Sequence, residues 1–189
     1  MVSPMTDGKY RQSQNGLTMI ELLVTVVILL VGLLGLAGLQ SRLQQSEVES
    51  YQRAQALILL TDMSNRIMAN RNAAADYVTT AIGVGAACPA ASTTRSSIDL
   101  NAWCQALRGA AETLGTSEVG AMIGGRGCVE DLGSDTYMVT VAWQGVIPLQ
   151  APPASVACGQ NAYNDTAACA GDLCRRTVTT VVRIGNLEP

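Results

Sequence analysis

The pattern of hydrophobic and polar positions divides the chain at Gly16. Residues 1–15 are polar, with Lys9 and Arg11 set against Asp7. From Leu17 to Leu39 the chain is apolar for 23 residues except for Thr18, Thr25 and one full charge, Glu21. A run of that length crosses the hydrocarbon core of a bilayer as a helix. A secretory signal peptide has a shorter apolar core and a small-x-small cleavage site behind it. Here the only small-residue boundary precedes the run, so the apolar segment is expected to be retained. A carboxylate at the centre of such a span costs about 2.5–3.5 kcal/mol, and less near an interface, so Glu21 demands a cationic partner.

The helix is expected to continue past Leu39. No proline occurs from Gln40 to Arg71, and apolar residues recur at Leu43, Val48, Tyr51, Ala54 and Ile58, then at Leu57, Leu60, Ser64 and Ile67. This near-helical spacing predicts one helix over residues 17–71, about 80 Å long at 1.5 Å per residue. Its later half is expected to pack Leu57, Leu60 and Ile67 on a globular head and to leave Arg42, Glu47, Glu49, Arg53 and Asp62 in water. Gly32, Gly35 and Gly38 permit close approach of another helix in lipid and also weaken the helix itself.

Residues 73–97, rich in Ala, Gly, Ser and Thr and broken by Cys88-Pro89, read as a loop. Ser97 or Asp99 is expected to cap a helix with Leu100, Trp103, Leu107, Ala111 and Leu114 on one stripe, ending near Gly115. Trp103 reads as a core anchor. Strands are expected at 118–123 and 127–132, with Gly124 to Gly127 as the hairpin turn between them. That turn lacks the Lys-Ser/Thr ending and following helix of a phosphate-binding loop. Residues 137–144 alternate as a strand, with Tyr137, Val139, Val141 and Trp143 on one face, and 177–184 read as the last strand. The long segment between them, 145–176, holds three prolines and three cysteines and needs stapling to be ordered.

Composition narrows the chemistry. The net charge of -3 and a pI near 4.9 leave no basic stripe for nucleic acid. Histidine is absent, which removes the commonest general base and metal ligand. The six cysteines, Cys88, Cys104, Cys128, Cys158, Cys169 and Cys174, all follow the apolar run. Their even number suits a disulfide framework in an oxidising compartment, and six allow fifteen pairings. Cys158, Cys169 and Cys174 are expected to staple the long segment with a partner from Cys88, Cys104 or Cys128. The Cys169-x4-Cys174 spacing has no matching second pair for a metal site. No residue set reads as catalytic, and no metal or cofactor is expected. The sole lysine, Lys9, lies before the apolar run, where it and Arg11 favour a cytoplasmic N-terminus.

Gly16-Leu17-Thr18-x-Ile20-Glu21 followed by the apolar run resembles the class III signal of type IV pilins and type II secretion pseudopilins. The resemblance implies cleavage between Gly16 and Leu17 by a prepilin peptidase, N-methylation of Leu17, and a role for Glu21 in assembly. In that role Glu21 pairs with a Leu17 amine, either its own one helical turn away or, in the assembled bundle, that of an axially shifted neighbour, which sets the register between subunits. Two features depart from the family: Leu17 stands where phenylalanine is usual, and no proline lies near Gly38.

Downstream, the Asp99 to Trp103 helix, the glycine-rich turn, the Tyr137 to Trp143 strand and Cys174-Arg175-Arg176 are similar to PilV-type minor pilins, the type IV pilus modification proteins. The resemblance implies an α+β pilin fold: a long N-terminal helix on a small antiparallel sheet with disulfide-stapled loops. The expected parts are a leader at 1–16, a membrane and assembly helix at 17–39, its amphipathic continuation at 40–71 and a periplasmic head at 72–189. The implied partners are the prepilin peptidase, other minor pilins, the major pilin and the inner-membrane assembly platform. The protein is then expected first in the inner membrane and later in the pilus. The alternatives are a minor pseudopilin and a single-pass membrane-anchored periplasmic enzyme or sensor. A head that binds a host surface or DNA is a further possibility, and the acidic balance counts against nonspecific DNA binding.

Overall fold

A computed structural model describes residues 18–185 apart from positions 112, 116, 119 and 121. The expected leader, with Gly16, and Leu17 lie outside the described residues. The chain forms two compact units that meet between Leu43 and Gln44. Helix α1, Met19–Ala69, contributes to both.

In the first unit every large apolar side chain from Met19 to Leu39 is at least 44 % exposed. Each such side chain left in water forgoes about 1.5–3 kcal/mol of burial, so this surface belongs in lipid or against other helices. Among the described residues α1 is the one helix long and apolar enough, by length and composition, to cross a membrane. Thr25 fits that solvent because its hydroxyl donates back to Leu22 O at 2.9 Å, leaving no unpaired donor.

The second unit is built on a four-stranded antiparallel sheet in the order β1-β4-β5-β6. Its strands are β1 (Thr79–Gly83), β4 (Arg126–Gly133), β5 (Thr136–Gln144) and β6 (Arg175–Arg183). The short β2 (Thr113–Leu114) and β3 (Ser117–Glu118) pair separately. The central register sets Val129 opposite Val139 and Val141 opposite Val178. One sheet face carries Val129, Tyr137, Val139, Val141, Trp143 and Val182 into the core, under α1 and α2 (Arg95–Arg108). Trp103 of α2 is fully buried there and its indole N–H donates to Leu59 O of α1 at 2.9 Å. This is the pilin-like α+β arrangement expected from the sequence, with three disulfides in the head.

Several local expectations are corrected. Within the head α1 buries Gln52, Ala56, Leu60, Met63, Ser64 and Ile67. Leu57 is 45 % exposed, and Val48, Tyr51, Ala54 and Ile58 also face away from the core. Two polar residues lie in the buried stripe and conceal it in the sequence. Gln52 Oε1 accepts the Ile123 N–H at 3.2 Å, and Ser64 Oγ donates to Leu60 O at 2.7 Å. Nor are Glu49 and Asp62 fully wet: both are half-buried and held by partners.

The stretch expected as a loop holds a 3-10 turn, Arg71–Tyr77, and strand β1. The cap of α2 is Thr94, which accepts the Ser97 N–H at 3.3 Å, in place of Ser97 or Asp99. The helix stops at Arg108 because Gly109 turns left-handed at φ 77°, so Ala111 and Leu114 lie beyond it. Among the described residues the hairpin expected around Gly124 is not found, and β4 pairs with β1 and β5. Met122 and Gly125 are buried while Ile123 is exposed, and Gly125 N–H closes a turn on Met122 O at 3.3 Å that leads into β4. The true hairpin joins β4 to β5 through Ser134 and Asp135, both at positive φ.

Candidate functional site

The α1 sequence from Thr18 to Ser41 contains a single charge, Glu21. It lies exposed in the first turn, where its N–H donates to Thr18 O at 3.1 Å. The partly positive end of the helix dipole favours a carboxylate there. The nearest cation along the described helix is Arg42, 21 positions on and about 31 Å away by the helical rise. No described residue of the helix can therefore neutralise Glu21, and the carboxylate is available to a cation from elsewhere. Gly32, Gly35 and Gly38 stand on open surface, with no atom outside the helix within contact of an added Cβ.

The head holds its parts together with buried charge. Asp99 is 1 % exposed and accepts from three elements. Tyr77 Oη donates to Oδ2 at 2.7 Å, Arg66 Nη1 of α1 to Oδ1 at 2.8 Å, and Arg95 Nε to Oδ2 at 3.0 Å. Burial alone pushes the Asp99 carboxyl up, but the bonds from Tyr77, Arg66 and Arg95 more than offset it and hold it below its usual range. For Tyr77, burial first and the adjacent carboxylate second push the phenol up. The carboxylate is thus held by three donors, which makes it a clamp between the helices and the 3-10 turn.

A second clamp orders the long cysteine-bearing segment. Buried Arg175 donates through Nη1 to Val156 O at 2.6 Å and Cys158 O at 3.1 Å, while its Nε lies 3.2 Å from Asp172 Oδ2. Asp172 Oδ1 in turn accepts the Asn161 N–H at 2.7 Å. Glu49 of α1 fastens the start of the segment, accepting the Val146 N–H at 2.8 Å with Arg176 Nη2 at 3.6 Å. Neither clamp is evident in the chain itself. Its one local sign is the four-residue spacing of Asp62 with Arg66 and of Arg95 with Asp99 on helices.

The six candidate cysteines form three bridges: Cys88–Cys104, Cys128–Cys158 and Cys169–Cys174. The first ties the segment before α2 to α2, the second pins residue 158 to β4, and the third closes the approach to β6. Among the described residues no group of three or more His, Cys, Asp or Glu side chains is placed to hold a metal ion.

Residues 11–37 match the family described as the prokaryotic N-terminal methylation motif. The match covers the polar N-terminal residues from Arg11, the Gly16-Leu17 junction, Glu21 and most of the apolar run, so the chain carries a type IV pilin-like prepilin leader. The motif implies processing by prepilin peptidase and, with the apolar helix, fits anchorage in an inner membrane. No curated protein and no solved structure matches the chain.

Proposed function

We propose that this protein is a minor type IV pilin of the PilV kind, a structural subunit with no catalytic role of its own. The observation that carries the reading is Glu21, the lone charge of the exposed apolar stretch from Thr18 to Ser41, lying inside the matched methylation motif. The prepilin peptidase cuts between Gly16 and Leu17 and the new amine of Leu17 is methylated. The helix then holds the processed protein in the inner membrane with the Leu17 end on the cytoplasmic side and the head periplasmic, where its three disulfides are stable.

Assembly moves the apolar surface from lipid into a bundle of like helices. An unpaired carboxylate there is costly, and the Leu17 amine of an axially shifted neighbour neutralises it, so the ion pair selects one register. The head remains at the fibre surface as the part that distinguishes this subunit from its neighbours, among the other minor pilins at the tip or priming complex. The test is recovery of the chain by mass spectrometry in pili sheared from the native host. Recovery with the major pilin is expected. Recovery only with a type II secretion complex overturns the pilus assignment and makes the chain a minor pseudopilin.

A further inference from the structure

On the sheet face turned away from the helices, β1, β4 and the segment 157–162 enclose a cleft of about 750 Å³. Its floor is apolar, formed by Ala81, Ala162 and the Cys128–Cys158 bridge. Arg126 stands at one end, with its guanidinium 5.7 Å from the centre of the Tyr163 ring. The same guanidinium lies against Gly85 in the turn beyond β1, its Nη2 being 2.7 Å from where a Cβ on that glycine would stand. Arg126 Nε is buried without a hydrogen-bond partner, and no carboxylate among the described residues pairs with the side chain.

Glu130 stands at the other end and forms no ion pair among the described residues, while Asp131, the next residue, accepts the Gly133 N–H at 2.7 Å. Alternation along β4 puts Arg126, Cys128 and Glu130 on one face, with about 13 Å of strand between the two charges. The cleft is therefore bipolar, with a cation that has no carboxylate partner at one end, the Glu130 carboxylate at the other and apolar contact between. It also runs beside β1, the terminal strand of the sheet.

We propose that this cleft binds an extended polypeptide segment of a partner protein, bearing a carboxylate and a cationic side chain four residues apart. The carboxylate lies on Arg126 and the cation on Glu130, with small or β-branched side chains over the apolar floor between them. Side chains four apart on an extended chain share a face and match the spacing on β4. The terminal strand beside the cleft suits a segment that is itself extended. A phosphate or nucleic-acid backbone would satisfy Arg126 but set further negative charge against Glu130, so the charge pattern selects a zwitterionic peptide. The inference stands on the head alone and is independent of the assembly reading.

The test is selection of a random dodecapeptide display library on the full chain in detergent, with Arg126→Gln and Glu130→Gln as parallel targets. Enriched peptides are expected to carry Asp or Glu and Lys or Arg four positions apart. A synthesised winner is expected to lose about tenfold in affinity on Arg126→Gln, the scale of one charge-assisted pair. Glu130→Gln, at a half-buried position that leaves the Tyr163 stack intact, is expected to relax the preference for the basic residue alone. Circular dichroism melts show whether each variant is folded, and if Arg126→Gln is not, the Glu130→Gln selection decides. No enrichment on the full chain, or enrichment with no charge pattern, overturns the proposal. So does a basic preference that survives Glu130→Gln.

Discussion

Asp99 on α2 and Arg66 on α1 meet at 2.8 Å, 33 residues apart in the chain, and that bond fastens the second helix to the first. Removing the charge leaves Arg66 half-buried with only Asp62, and leaves the Tyr77 hydroxyl without its charged acceptor. Asp99→Asn is expected to cost about 2–4 kcal/mol, the range for breaking a buried charged network that keeps some solvent access. Thermal or urea denaturation of the two proteins at neutral pH measures it.

The same residue sets a pH dependence. Folding lowers the Asp99 carboxyl below its ordinary range, because the bonds from Tyr77, Arg66 and Arg95 outweigh burial. Its contribution is therefore complete above the unfolded carboxyl value, about 3.9, and is lost as the pH falls from there through the lower folded value. The stability gap between wild type and Asp99→Asn is expected to narrow below pH 4. A gap that stays constant from pH 7 to pH 3 contradicts the assignment.

Gly127 is required by the Trp103 ring. A Cβ at that position collides with the indole, which itself cannot retreat because its N–H is bonded to Leu59 O. Gly127→Ala is expected to lose about 1–3 kcal/mol by overpacking. Gly35→Ala, where an added Cβ meets nothing, is expected to leave the melting of the head unchanged.

The bridges differ in the length of chain they close. Cys128–Cys158 spans 30 residues and Cys169–Cys174 spans 5. In the chain-entropy account, replacing the first pair by serine costs about 4 kcal/mol and the second about 2 kcal/mol. Non-reducing peptide mapping is expected to recover the three observed pairs. A different set of linked peptides would contradict the head structure.

What the sequence made legible follows from the range of the interactions involved. The apolar run, the long helix and strands β5 and β6 are set by periodicity, and each appears where the pattern places it. The Gly16 to Glu21 signal is contiguous and was readable from the sequence alone. Strand β1 was missed because Thr79–Gly83 is short, at the sheet edge, and pairs irregularly with β4. The buried face of α1 differs from the expected one because Gln52 and Ser64 lie in it, with Gln52 Oε1 accepting the distant Ile123 N–H and Ser64 Oγ donating back to Leu60 O. The Asp99–Arg66 and Asp99–Tyr77 bonds, the Cys88–Cys104 and Cys128–Cys158 bridges and the Arg126 cleft all join residues far apart in the chain.

Glu21→Ala removes the cost of a carboxylate in lipid, so membrane insertion is expected to be unimpaired. Incorporation into fibres is expected to fall sharply because the register-setting pair is lost. Membrane fractionation and immunoblots of sheared pili separate the two effects. Normal incorporation of the variant would remove the register role from Glu21.

The central claim is that the chain is a processed prepilin, and the N-terminus of the protein from its native membrane tests it most directly. Intact-mass and N-terminal peptide mass spectrometry is expected to find N-methylated Leu17. A terminus at Met1, in cells that process their other prepilins, contradicts the assembly account and leaves a membrane-anchored periplasmic domain in its place.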